Sequence, residues 1–324
     1  MKQNTTSAPV GAVIIGRNEG PRLIVGLKAA ASQVDYIVYV DSGSTDGSTQ
    51  LAREVGADVV ALDMSQPFTA ARARNTGMAH LQVALADVVF VQFIDGDCEL
   101  QPGWVERAKS FLNTHSNVAV VCGRRRERFP EASVYNRLID QEWDTQVGDT
   151  LSCGGDALMR VAAFHEVGGY NGDLIAGEEP ELCVRLRAAG WKVWRLDSEM
   201  TLHDAALNKF SQWWTRNKRA GHAFAEGMAM HGDAPDYHGV RETRSALAWG
   251  AALPMVAILG ILATPWSLVL LSALPLQVIR LGLRDKDWLR ALFLTMGKLP
   301  EAQGILGYFW NRLRRVRTGL IEYK

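Results

Sequence analysis

Five short apolar runs, separated by polar or helix-like stretches, constrain the fold of the first 125 residues most strongly. The runs are apolar throughout rather than at alternate positions, which is typical of strands covered on both faces in a parallel sheet. The intervening helix-like stretches complete an alternation of strand and helix that indicates a doubly wound α/β sheet. The apolar runs span residues 13–15, 36–40, 59–62, 88–94 and 118–122.

Polar loops follow three of these predicted strands, at residues 16–20, 41–48 and 95–97. Ligands of doubly wound sheets bind outside the carboxyl ends of the strands, so we expect the three loops to converge on one site. No G-x-G-x-x-G pattern follows the first strand, and this excludes a Rossmann dehydrogenase.

The loop Asp95-Gly96-Asp97 carries two carboxylates one residue apart at the end of a buried strand. Mg²⁺ and Mn²⁺ prefer oxygen ligands and commonly take one or two carboxylates together with phosphate oxygens. The intervening glycine allows a close backbone approach. We therefore predict a divalent cation here, the alternative being an ordinary acidic turn.

Two further residues near this edge have side chains suited to a nucleotide. Asp41 ends the second strand, where its carboxylate can accept bonds from a ribose or a base N–H, while Asp46 or Ser48 caps the next helix. Arg74 can direct its guanidinium at a diphosphate. Arg72, two residues earlier on the same helix, faces a different direction and is expected to be a surface charge.

Acidic residues downstream provide candidates for proton transfer. Glu178 and Glu179 follow a glycine-rich loop. Clustered carboxylates repel one another, so we expect a raised pKa for at least one of them, which suits a general base. The alternative is an acidic helix start, which accounts for Glu181 but does not need three acids. His203 follows a strand and is a candidate third metal ligand, or a structural histidine.

The C-terminal part, residues 241–324, differs in composition from the rest of the chain. Residues 245–279 contain no formal charge over 35 positions, and Pro254, Pro265 and Pro275 interrupt them. This length predicts a tight helical hairpin, spanning or re-entrant, with a buried helical pair in a soluble protein as the alternative. Residues 241–324 hold 12 basic and 5 acidic residues, so the tail 284–324 is expected to be a basic amphipathic segment on anionic lipid.

The remaining features concern location. Four widely spaced cysteines and the absence of a visible signal peptide indicate reduced thiols and a catalytic part on the cytoplasmic face of the inner membrane. Arginines flank the hairpin on both sides, which agrees with two cytoplasmic ends. We thus expect a flexible N-terminus at 1–9, a catalytic domain at 10–240 and a membrane-associating region at 241–324.

Taken together, the motifs resemble family 2 glycosyltransferases of the GT-A fold over about residues 10–220. Each motif is weak alone, but their order and spacing are specific. The resemblance implies a mostly parallel, Rossmann-like sheet with helices on both faces. It lies in residues 13–19, 40–48, 74–77, 95–97, 154–155, 168–170 and 178–179.

The resemblance assigns roles to individual positions. It implies that Glu179 is the catalytic base, although the family usually has Asp there, so Glu178 stays a candidate. It also implies that Gly154, Gly155 and Asp156 contact the acceptor. The predicted donor-binding residues are Asn18, Glu19, Asp41, Arg74, Asp95 and Gly96, and the predicted metal ligands are Asp95, Asp97 and His203.

The implied activity is an inverting, Mn²⁺- or Mg²⁺-dependent hexosyl transfer from a nucleotide diphosphate sugar, with UDP favoured. The tail is similar to that of bacterial exopolysaccharide enzymes, which implies a membrane-bound, polyprenyl diphosphate-linked saccharide as acceptor and no nucleic acid. Residues 212–217 do not match the Q-x-x-R-W motif of processive synthases, so addition of a single sugar is expected. The alternatives are a polyprenyl monophosphate glycosyltransferase and a non-catalytic membrane scaffold with a nucleotide-binding fold.

Overall fold

The structure is a computed structural model that describes residues 8–316 and 318–322. Most of the predicted flexible N-terminus, residues 1–7, therefore lies outside the described residues, as do 317, 323 and 324 of the predicted basic tail. The chain divides into two compact units. The first runs to Leu174 and resumes at Glu178–Ala206, and the second comprises Ile175–Gly177 and the chain from Leu207. Residues 207–240 thus belong to the second unit, whereas the sequence placed them in the first.

The first unit is an α/β unit, as the sequence predicts. Its helices are α1 (Pro21–Ala31), α2 (Ser48–Glu54), α3 (Ala70–Ala84), α4 (Trp104–Thr114), α5 (Val134–Glu142), α6 (Val161–Glu166) and α7 (Glu178–Ala188), with a short 3₁₀ turn at Pro130–Ala132. Its strands are β1 (Val10–Gly16), β2 (Tyr36–Asp41), β3 (Asp58–Ala61), β4 (Phe90–Asp95), β5 (Cys98–Leu100), β6 (Val118–Glu127), β7 (Gly148–Thr150), β8 (Ala157–Arg160) and β9 (Lys192–His203).

The strands form one sheet in the order β3-β2-β1-β4-β8-β6-β9-β5, with β7 paired to β9. The half built from β3, β2, β1 and β4 is parallel, in agreement with its continuous apolar runs. The other half is mixed, because β8 runs antiparallel to β4 and β6, and β5 and β7 run antiparallel to β9. The carboxyl ends of β1, β2 and β4 lie side by side, since Gly16 pairs with Asp41 and Ile15 pairs with Asp95.

Close packing of α3 on the sheet positions Arg74. Gly77, one turn after Arg74, lies directly over β1 and β2, and a Cβ there would come within 2.4 Å of Val13 and 2.8 Å of Val40. Only glycine allows this approach. Because α3 lies so close to the sheet, the buried Arg74 side chain reaches the end of β4.

The second unit consists of helices. They are α8 (Phe210–His231), α9 (Val240–Leu247), α10 (Leu253–Leu259), α11 (Ala273–Asp285), α12 (Trp288–Met296) and α13 (Lys298–Leu313), with a π-helical turn at Ala248–Ala252 and 3₁₀ segments at Gly260–Leu262 and Pro265–Ser272.

Two continuous helical stretches of this unit, Val240–Leu262 and Pro265–Asp285, are long and apolar enough to cross a membrane by length and composition. They meet near Thr264 and Pro265, inside the predicted hairpin. Only 11% of the most apolar window of each stretch is buried, and Leu262 and Trp266 are 90% and 79% exposed. This exposure favours the hairpin over a buried helical pair.

Candidate active site

The loops that follow β1 and β2 are bonded to each other. Asn18 adopts a left-handed backbone conformation (φ 58°), and its Oδ1 accepts a 2.8 Å hydrogen bond from the N–H of Thr45. Ser44 Oγ accepts the N–H of Asn18 at 2.9 Å. Asp41 Oδ2 accepts the N–H groups of Gly43 and Ser44 at 3.0 and 2.9 Å. The two predicted nucleotide-binding loops therefore form one polar surface.

Glu19 and Gly96 bring the first loop against the Asp95-Gly96-Asp97 turn. The N–H of Gly96 donates to Ile15 O at 2.8 Å, and a Cβ on Gly96 would come within 3.0 Å of both Ile15 O and Glu19 Cγ. The glycine thus permits the close approach that the sequence predicts. Glu19 also pairs with Arg22 at 2.9 Å.

Asp95 lies between the buried Arg74 and the partly exposed Arg125. Its Oδ1 is 2.8 Å from Nη2 of Arg74, and its Oδ2 is 3.1 Å from Nη2 of Arg125. Although burial opposes the charged form, these two guanidinium groups hold the pKa of Asp95 below its usual value. Both carboxylate oxygens are engaged by arginine, so this geometry presents Asp95 as part of an ion-pair network. Its role as a metal ligand stays a prediction.

Glu178 and Glu179 begin α7 and meet the same arginine. One carboxylate oxygen of each lies 2.9 Å from Nη1 of Arg74. Burial, reinforced by the charge of Glu178, raises the pKa of Glu179 to about 7 in spite of Arg74. The Glu179 side chain remains 14% exposed, against 5% for Glu178. A partly accessible carboxyl with a near-neutral pKa is suited to take a proton from a substrate.

Asp97 and His203 form a second, buried cluster near the turn. Nε2 of His203 lies 3.3 Å from Oδ2 of Asp97, and the thiol of Cys98 donates to Oδ1 of Asp97 at 3.6 Å. Ligand atoms of these three side chains all lie within 4.8 Å of one another. A carboxylate, an imidazole and a thiol are donors that divalent cations use, so the residues present fit a metal ion.

The predicted acceptor loop lies beside this network. Gly155 packs so closely that a Cβ would come within 2.7 Å of Asp95 Oδ2 and 2.8 Å of Arg74 Nη2. Asp156 is fully buried: its Oδ1 accepts the N–H of Asp95 at 3.0 Å and its Oδ2 accepts the hydroxyl of Thr201 at 2.9 Å. These bonds make Asp156 a residue that positions Asp95. The acceptor contacts of Gly154, Gly155 and Asp156 stay predictions.

Three residues of the site, Arg125, Cys98 and Glu127, are not predicted from the sequence. Arg125 contacts Asp95 and stacks over Trp143 at 4.8 Å, while Glu127 lies 3.6 Å from Nδ1 of His203. Arg125 and Glu127 lie on β6 beyond its apolar run. The charged residues of this stretch are typical of a solvent-exposed surface. The signal that could have found Cys98 was its position directly after Asp97.

The family model of glycosyl transferase family 2 matches residues 12–167, which include the loops at Asn18 and Asp41, the Asp95–Asp97 turn and the Gly154-Gly155 loop. The chain carries a family 2 glycosyltransferase domain. Glu178, Glu179 and His203 lie beyond the matched range, and the fold brings the two glutamates to Arg74.

Curated relatives agree with this glycosyltransferase assignment. The chain is 25% identical over 230 residues to the succinoglycan biosynthesis protein ExoA of Rhizobium meliloti (strain 1021), covering 68% of this chain and 69% of the relative. It is 27% identical over 205 residues to the glycosyltransferase AglE of Haloferax volcanii, covering 58% and 65%. The matches span about two thirds of each relative.

Solved structures confirm the GT-A-type α/β fold of this glycosyltransferase. The mannosyltransferase PcManGT from Pyrobaculum calidifontis, solved with GDP-Man and Mn²⁺, superposes with a TM-score of 0.67 at 19% identity, covering 95% of this chain and 89% of that one. Glucosyl-3-phosphoglycerate synthase from Mycobacterium tuberculosis, solved with Mn²⁺ and UDP-glucose, gives a TM-score of 0.51 at 16% identity, covering 71% and 81%.

Proposed function

We propose that this glycosyltransferase performs an inverting, metal-dependent transfer of a hexosyl group from a nucleotide diphosphate sugar to a hydroxyl of a membrane-bound saccharide in polysaccharide biosynthesis. The observation that carries the proposal is the placement of Glu179, a carboxyl with a pKa of about 7, beside the Arg74–Asp95 pair. Such a group can remove the proton of an acceptor hydroxyl as that oxygen attacks the anomeric carbon.

On the donor side, the linked loops at Asn18 and Asp41 hold the nucleoside. Glu19 and Gly96 line the surface on which the sugar diphosphate lies. Arg74 stays charged, because its neighbouring carboxylates raise its pKa even though burial opposes the charge. Asp97 and His203, together with the predicted ligand Asp95, would hold Mn²⁺ or Mg²⁺, which when bound supplies Lewis-acid stabilisation of the leaving diphosphate. GDP-Man and UDP-glucose in the neighbouring structures support a nucleotide-sugar donor, and UDP remains our preference.

On the acceptor side, the chemistry of Glu179 favours a hydroxyl. A polyprenyl monophosphate acceptor is already an anion and needs no base. A carboxyl with a pKa near 7 would therefore have no catalytic role in transfer to that acceptor. The relative ExoA, named for succinoglycan biosynthesis, supports a polysaccharide product. The exposed apolar stretches 240–262 and 265–285 support an acceptor carried by polyprenyl diphosphate at the inner membrane, with catalysis on the cytoplasmic face.

Replacement of the base tests the proposal. Glu179→Gln keeps the size of the side chain but cannot accept the proton, so we expect transfer to fall by about 10²- to 10⁴-fold. Binding of the nucleotide sugar, measured by calorimetry, should persist. Glu181→Gln is the matched control, since Glu181 lies in the same first turn but pairs with Arg185. Unchanged transfer by the Glu179 variant, or equal losses in both variants, would overturn the assignment.

A further inference from the structure

We propose that Asp97, Cys98 and His203 form a mixed oxygen, sulfur and nitrogen site that binds thiophilic divalent cations of the Zn²⁺ and Cd²⁺ class in competition with Mn²⁺. The inference rests on the proposed function only in that Asp97 and His203 are also the residues assigned to the catalytic cation. Cys98 is the additional ligand, and its sulfur gives the site a preference for thiophilic cations that carboxylates alone would not give.

The sheet brings the thiol and the imidazole together. Cys98 on β5 is the direct antiparallel partner of His203 on β9. Side chains of directly opposed residues point to the same face of a sheet, with Cβ atoms about 4.5–5.5 Å apart. Asp97 precedes Cys98 in the chain, and its two oxygens reach the thiol and the imidazole at 3.6 and 3.3 Å. All three side chains are more than nine-tenths buried.

A second strand places a carboxylate behind the histidine. Glu127 on β6 is in register with His203, and its Oε2 lies 3.6 Å from Nδ1 of the ring. The N–H of Phe129 donates to Glu127 at 3.1 Å, and the N–H of Ala205 donates at 3.0 Å. A carboxylate behind the far nitrogen of a histidine orients its near nitrogen toward a metal. Nε2 is therefore the ligand atom, and it faces Asp97.

Burial raises the pKa of the Cys98 thiol well above its usual value, and Arg125 opposes that shift. Its Nη2 lies 3.3 Å from the sulfur and 3.1 Å from Asp95 Oδ2. When a cation binds, the S–H bond is replaced by a metal–sulfur bond and the proton leaves to solvent. The positive charges of the cation and of Arg125 both favour the thiolate that results.

The donor set determines the selectivity. Mg²⁺ is a hard cation that takes oxygen ligands, whereas thiolate and imidazole suit Zn²⁺ and Cd²⁺. The ligand atoms already lie within 4.8 Å of one another, and small side-chain rotations bring them to the bond lengths of about 2.0–2.3 Å that Zn²⁺ requires. Three protein ligands leave a fourth position open, so a thiophilic cation would occupy the place of the catalytic one.

Titration of the full chain with Cd²⁺ tests the site through the ultraviolet charge-transfer band of a cadmium–thiolate bond. Cys153 and Cys183 place two other thiols 3.7 Å apart, so every variant is made in a Cys153→Ser background. In this background we expect one equivalent of Cd²⁺ to produce the band. The same equivalent should release bound Mn²⁺, and electron paramagnetic resonance measures that release. Cys98→Ser should abolish the band.

Cys122→Ser is the matched control, because Cys122 is a buried thiol that contacts Trp194 O instead. It should retain the band. We expect Cys98→Ser to lower the ratio of Cd²⁺ to Mn²⁺ affinity by at least about 10-fold. Mutation of a residue that only bonds to a metal ligand already lowers metal affinity by about 10- to 100-fold. The inference is overturned if the band persists in Cys98→Ser, or if the Cys153→Ser protein with Cys98 intact shows no band. Neither result bears on sugar transfer, which is measured separately with Mn²⁺.

Discussion

At the scale of single residues, the candidate site is organised by one buried guanidinium. Arg74 contacts Asp95, Glu178 and Glu179 at 2.8, 2.9 and 2.9 Å. It thereby joins the end of β4, where we place the donor, to the start of α7, where we place the base. Arg72, two residues earlier, points elsewhere and donates to the carbonyls of Asp63, Gln66 and Pro67. This difference follows from helical geometry, as the sequence predicts.

Removal of Arg74 should destabilise the first unit strongly. Arg74→Met removes the guanidinium that Glu178 and Glu179 share and leaves Asp95 with Arg125 alone. Breaking a buried ion pair in this way costs about 3–5 kcal/mol. Arg72→Met is the control and loses only surface bonds to carbonyls, worth about 1 kcal/mol or less. Urea unfolding of the full chain in detergent measures both. Losses of equal size would contradict the role assigned to Arg74.

The pH dependence of transfer should report Glu179. Burial and the charge of Glu178 raise its pKa to about 7, and a general base acts only when deprotonated. The value of kcat/KM should therefore rise as pH increases through about 7 and become level above it. The profile is measured with Mn²⁺ and donor in excess. A profile already level from pH 5 upward would show that a different group takes the proton.

At the scale of elements, the sequence predicted the parts of the site that follow buried parallel strands. The loops at Asn18 and Asp41 and the Asp95–Asp97 turn are adjacent because β1, β2 and β4 are neighbours. The mixed half of the sheet is not predicted from the sequence, for physical reasons. Strand β8 has only four residues. Strand β6 continues past its apolar run 118–122 into three arginines, so the apolar pattern ends before Arg125 and Glu127. Arg125 and Glu127 were missed for that reason.

Helix α13 in the second unit offers a matched pair of glycines. A Cβ on Gly304 would come within 2.0 Å of Lys218 O on α8, whereas a Cβ on Gly307 would meet nothing within 4 Å. Gly304→Ala should therefore destabilise the unit by about 1–3 kcal/mol through overpacking. Gly307→Ala should stabilise it by about 0.5–1 kcal/mol, because alanine loses less backbone entropy in a helix. Thermal unfolding compares them, and a stabilising Gly304 variant would contradict the close helix packing.

At the scale of the whole molecule, the chain combines a glycosyltransferase unit with a helical unit that exposes much apolar surface. Met255, Ile258 and Leu259 on α10 are all more than half exposed. Contiguous surface of this kind marks a contact with lipid or protein, and the length of the uncharged run favours lipid. This exposure supports the proposal that the acceptor is held in a bilayer.

A charge in the hairpin should weaken membrane attachment. Leu259→Lys places a lysine near the turn end of the first apolar stretch, Val240–Leu262. A charge there opposes insertion by up to about 2.5–3.5 kcal/mol, the value for a helix centre. Val83→Lys is the control, since Val83 is an 85% exposed valine of α3 in the first unit. Carbonate extraction of membranes should release more of the Leu259 variant than of the control. Equal retention of both variants would contradict insertion of the hairpin.

Thermal shift with nucleoside diphosphates tests whether a cation-assisted nucleotide-sugar site lies at the carboxyl edge of the sheet. We expect UDP or GDP to raise the Tm of the chain only when Mn²⁺ is present, because the cation bridges the diphosphate to the protein. A ligand at 100 times its Kd stabilises the folded protein by about 2.7 kcal/mol, which is a measurable shift. Asp97→Asn should remove the shift. No shift with any nucleoside diphosphate and Mn²⁺, or an undiminished shift in Asp97→Asn, would contradict the account.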